Sequence, residues 1–78
     1  MREDFRENYR LLGLKIAYYR KKKGYTQEQF AELIDKSLSF VGQIEANNGA
    51  AIKGVSLDTL FVMAQKLDVP ISKLFSED

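Results

Sequence analysis

Seventy-eight residues, 45% of them hydrophobic and one of them proline, bound this chain to a single globular domain, near the lower limit at which an unaided core holds a fold. Cysteine and histidine are both absent, which excludes a disulfide framework, thiolate chemistry, ordinary zinc sites and histidine-dependent nucleophilic triads. The net charge is only +1, but residues 1–25 carry eight Lys/Arg against three acids and residues 26–78 four Lys against eight acids, an asymmetry of the kind that meets phosphate.

Helical periodicity predicts five helical stretches, with no internal repeat and no strand-like alternation. The first runs from about Phe5 to Lys23, with Leu12, Ile16 and Tyr19 at i, i+4 and i+7 forming one apolar stripe. The run Arg20-Lys21-Lys22-Lys23 closes it; cations there complement the helix dipole as readily as they serve a ligand. Gly24 ends the helix, because glycine takes the left-handed conformation without a Cβ penalty. Arg2, Arg6 and Arg10 extend its start, for solubility, dimer contacts or a phosphate arm.

Thr26-Gln27-Glu28-Gln29 has the spacing of a capping box and opens the second helix, with Phe30, Ala31 and Ile34 facing inward. Ser37 caps the third, whose Val41 and Ile44 point to the core at i, i+3. The stretch 46–55, ANNGAAIKGV, reads as the one long loop. Ser56 caps the fourth helix, with Leu57, Leu60, Ala64 and Leu67 as the expected buried stripe. Pro70 suits the first turn of a last short helix, where Leu74 and Phe75 are expected to close the core. No apolar run approaches the roughly 20 residues of a membrane span, and MREDFRENYR lacks a signal peptide's apolar core; a cytoplasmic protein is expected.

The segment TQEQFAELIDKSLSFVGQIE (residues 26–45) resembles the helix-turn-helix of the phage repressor/Cro (Xre-type) family. The likeness continues on both sides, through LGLKIAYYRKKKGYTQ and SLDTLFVMAQKLDVPISKLF, from about Leu12 to Phe75 in family order and spacing. It implies an all-α, compact five-helix lambda-repressor-like domain over residues 1–78. Residues 1–11 extend helix one, and residues 26–46 form the helix-turn-helix. Ala31 supplies the small residue at the helix crossing. Asp35 stands where the family usually has glycine; aspartate tolerates positive φ better than most residues.

The resemblance also implies roles. Arg20 and Glu45 occupy the positions of a structural ion pair that orients the domain. Gln43, Ser39 and Leu38 match base-facing positions, and Gln43 is the best reader because an amide can bond adenine N6 and N7 together. Gln27, Thr26, Phe40, Asn47, Asn48 and Lys53 fall where the DNA backbone is met, although Gln27 could equally brace one helix against another. The expected protein is a DNA-binding transcriptional regulator whose partner is double-stranded DNA. It would act as a homodimer with Leu33, Phe61 and Val62 as partner-facing candidates, and no cofactor, metal, small-molecule ligand or catalytic residue is expected. The recognition helix carries no Lys or Arg, and Leu38 and Phe40 lie on or beside its reading face. Those features keep open a protein-interaction module on the same scaffold.

Overall fold

The computed structural model describes residues 5–46 and 54–76. Arg2, Asn47, Asn48, Lys53 and most of the expected loop lie outside the described residues. Four α-helices follow in order: α1 (Arg6–Lys22), α2 (Gln27–Leu33), α3 (Leu38–Ala46) and α4 (Leu57–Leu67), and then a 3₁₀ segment, Ile71–Phe75. Among the described residues there is no strand, and no helix is long and apolar enough to cross a membrane.

Expecting a fifth α-helix was an error. Ile71–Phe75 has five residues, and the Lys73 amide donates to the Pro70 carbonyl in the i→i+3 pattern, the tighter winding that short terminal segments adopt.

Local chemistry starts α2, α3 and α4 and stops α1, α2 and α4. Thr26 Oγ1 accepts from the Gln29 amide at 3.0 Å while Gln29 Oε1 accepts from the Thr26 amide at 2.8 Å, a reciprocal capping box. Ser37 Oγ accepts from the Phe40 amide at 3.0 Å, and Ser56 Oγ from the Thr59 amide at 3.2 Å. Three helices end alike. Gly24 (φ 83°), Asp35 (φ 58°) and Asp68 (φ 61°) take the left-handed conformation. The next amide in each case, from Tyr25, Lys36 and Val69, donates to the carbonyls of Arg20, Ala31 and Ala64, five residues back.

The core gathers Leu12 and Ile16 from α1, Phe30, Ala31 and Ile34 from the α2 region, and Val41 and Ile44 from α3. Leu60, Met63, Ala64 and Leu67 of α4 and Leu74 complete it. Phe30, its largest fully buried side chain, stacks beneath Tyr25 with ring centroids 6.4 Å apart. Two expectations about this core were wrong. Leu57 is 59% exposed: as the first residue of α4 it lies beyond the edge of the core, whose stripe is centred on Leu60 and Met63. Phe75 is 57% exposed, because three residues per turn put Ile71 and Leu74 on one face and rotate Phe75 away.

Candidate nucleic-acid interface

The outward side of α3 is positioned from behind, by a polar cluster between the ends of α1, α2 and α3. Arg20 Nε donates to Glu45 Oε2 at 2.6 Å and its Nη2 to Glu45 Oε1 at 2.9 Å, the two-bond fork that guanidinium and carboxylate favour. Arg20 Nη1 reaches the Tyr25 carbonyl at 2.7 Å, and Gln27 Nε2 donates to Glu45 Oε1 at 2.9 Å. The two charged side chains are only 8% and 6% exposed. A pair this dry gains little net stability, but leaving either member alone costs about 3–5 kcal/mol. Its effect is therefore orientation: the last turn of α3 is tied to the last turn of α1 and the first turn of α2.

Gly13 makes the same junction possible. It is buried on α1, and a Cβ built there would collide with the Ile44 carbonyl oxygen and come within 3.2 Å of the Glu45 carbonyl. The end of α3 thus rests on bare α1 backbone. No periodicity signals such a residue, since the contact exists only once two elements have docked.

The outward side of α3 carries the residues picked from the sequence. Leu38 (48% exposed), Ser39 and Gln43 face solvent, and Gly42 is half-buried with Gln27 Oε1 3.8 Å from where its Cβ would lie. Thr26 is exposed, though its hydroxyl and amide are both engaged in the cap of α2. The Gln27 amide nitrogen holds Glu45 and so braces α2 against α3. Phe40 is half-buried and packs against the core, with the Lys36 ammonium 5.4 Å from its ring centroid.

At the other end of α1, Arg10 pairs with Glu7 through bonds of 3.0 and 2.6 Å. The Arg10 hydrogen bonds hold the Glu7 carboxyl below its ordinary range, and Glu7 in turn raises the guanidinium. Both groups are exposed, and the pair is an ordinary surface contact. Among the described residues no group of three or more carboxylates gathers where a metal ion could be held.

The sequence profile of the helix-turn-helix family matches residues 16–74, a span that contains the Arg20–Glu45 pair, both helices of the motif and all but the last residue of the closing 3₁₀ segment. The chain is 43% identical over 61 residues to the uncharacterised HTH-type transcriptional regulator YazB of Bacillus subtilis, covering 74% of this chain and 88% of that protein. Among solved structures it is similar to the restriction-modification controller protein C.AhdI of Aeromonas hydrophila (TM-score 0.79, 29% identity, 88% of this chain and 98% of that one). It is also similar to SinR, a master regulator for biofilm formation solved in complex with DNA (TM-score 0.72, 31% identity, 83% and 98%). Sequence, helix order and the polar cluster behind α3 agree: the chain belongs to the helix-turn-helix family, in its phage repressor/Cro-like branch.

Proposed function

We propose that this DNA-binding transcriptional regulator reads duplex sequence as a homodimer, each copy laying α3 in the major groove. The observation that carries the reading is the three-way tie among Arg20, Glu45 and Gln27. It fixes the angle at which α3 leaves the body of the domain while leaving Leu38, Ser39 and Gln43 outward. Gln43 is assigned the base contact, with Ser39 able to donate or accept and Leu38 suited to a thymine methyl. Thr26, Gln27, Phe40, Asn47, Asn48 and Lys53 are assigned to the backbone, which positions the protein without reading sequence. Leu33, Phe61 and Val62 remain the partner-facing candidates, and the exposed Leu57, one turn before Phe61, joins them.

The test is selection of duplexes from a random pool, followed by titration of the selected site and of random DNA. Gln43→Ala weakens binding to the selected site alone, by about 1–3 kcal/mol, whereas Gln27→Ala, which removes a phosphate contact and loosens the tie on α3, weakens both duplexes. Equal losses on both duplexes for both variants would remove the base-reading assignment. A second reading, a protein-interaction module, draws on the half-exposed Leu38 and on a helix without a cation. It requires binding to DNA that is absent at low salt or indifferent to salt, because phosphate contacts release counterions.

A further inference from the structure

The recognition helix has no cation of its own, and the segment around it is acidic. Between Lys23 and Lys53 the chain has one basic residue, Lys36, against Glu28, Glu32, Asp35 and Glu45. Arg20 neutralises Glu45, while the other three acids are exposed. A surface so charged repels phosphate unless a cation stands close to the contact.

Lys36 stands there. It lies in the turn between α2 and α3, two residues before the helix begins, and its amide is fixed to the Ala31 carbonyl at 2.9 Å. Its side chain is exposed, and its ammonium rests over the Phe40 ring, 5.4 Å from the centroid. That platform is itself held, for Phe40 is packed against the core and its amide bonds Ser37 Oγ at 3.0 Å. The ring occupies one side of the ammonium, which has three donors and can turn the others outward. Phe40 and Gln43 are three residues apart on α3, the spacing of one helix edge, so the ammonium over the Phe40 ring stands beside the flank that presents Gln43.

We propose that Lys36 is a phosphate-binding residue of this protein, its ammonium presented by the Phe40 ring to the DNA backbone that borders the groove entered by Gln43. The assignment rests on the reading of α3 as the recognition helix. It gives the uncharged helix a cation from the turn before it, a position that a scan of the helix alone passes over.

The experiment measures binding by fluorescence anisotropy from 50 to 300 mM salt, using the selected duplex and a random one, for the wild type, Lys36→Met and Phe40→Leu. Loss of one phosphate contact lowers the slope of log K against log salt by about 0.9, which amounts to roughly eightfold weaker binding at 0.1 M salt relative to a 1 M reference. Lys36→Met is expected to show both changes on both duplexes, with an unaltered circular dichroism melt. Phe40→Leu keeps the charge and removes the π face, so it weakens both duplexes about two- to fivefold and leaves the slope unchanged. Wild-type binding with an unchanged Lys36→Met slope and affinity overturns the Lys36 assignment and spares the recognition helix. A wild type that binds neither duplex overturns both.

Discussion

At Gly13 a hydrogen in place of a side chain lets α1 lie against the carbonyl ends of α3. The Arg20–Glu45 fork joins the same two helices one to two turns further along α1. A methyl group has nowhere to go, because the colliding atoms are backbone carbonyls rather than the end of a flexible side chain. Gly13→Ala gains roughly 1 kcal/mol of helix propensity and pays overpacking of about 1–3 kcal/mol, with more where the polar fork is pulled out of register. The expected outcome is net destabilisation and a lowered thermal midpoint, measured by circular dichroism. A midpoint equal to or above that of the wild type would show that α1 and α3 can separate without cost. Gly42 supplies the contrast: it lies on the other helix of the junction and has an ordinary 3.8 Å clearance.

That clearance turns Gly42 into a statement about α3 as an element. A nine-residue helix with a glycine in its middle and no acidic residue in its first turn has little intrinsic stability. It is held by Val41, Ile44 and Glu45, all on its inward side. Gly42→Ala adds propensity without collision and is expected to stabilise the domain by about 0.5–1 kcal/mol, a rise of several degrees in the melting midpoint for a domain of this size. An unchanged or lowered midpoint would mean that the added methyl strains Gln27.

Elements are also the scale at which the sequence was most readable. Thr26, Ser37, Ser56 and Gly24 act on neighbours three or four residues away, so spacing alone exposed them, whereas Asp35 stood out only through the resemblance, at a position where the family usually has glycine. Asp68, equally left-handed, went unnoticed because a Pro two residues later drew the boundary instead. Leu57 and Phe75 misled because periodicity says which side of a helix is apolar and not where the core beneath it ends. In the candidate interface, Gln27 was legible only as a fork between phosphate and brace, since an amide can do either until its neighbour is known. Gly13 and Lys36 were invisible for a related reason: one matters through a contact 31 residues away in the chain, the other lies outside the helix it flanks.

For the whole molecule, size decides how much DNA one copy can read. The domain measures 31 × 26 × 20 Å and has in α3 one helix proposed to enter a groove, whereas successive major grooves on one side of a duplex recur about every 34–36 Å. On the proposed dimeric reading, one copy takes a single half-site and the second copy takes the next groove on the same side. Leu57 and Phe61 are separated by one turn of α4 and are 59% and 53% exposed. They form an apolar strip on α4, a helix that contributes no member of the Arg20–Glu45–Gln27 tie. A charge placed there should leave the monomer intact, since surface substitutions clear of core and caps stay within about 0.5 kcal/mol. Phe61→Glu is thus expected to sediment as a monomer where the wild type sediments as a dimer, with an unchanged melt at dilute concentration. On a single half-site the variant binds as well as the wild type. On a duplex carrying two half-sites one helical turn apart, it loses the linked advantage of about 10²–10⁴-fold. Identical sedimentation of the two proteins would move the interface elsewhere on the domain. A wild type that prefers isolated half-sites would remove the dimer altogether.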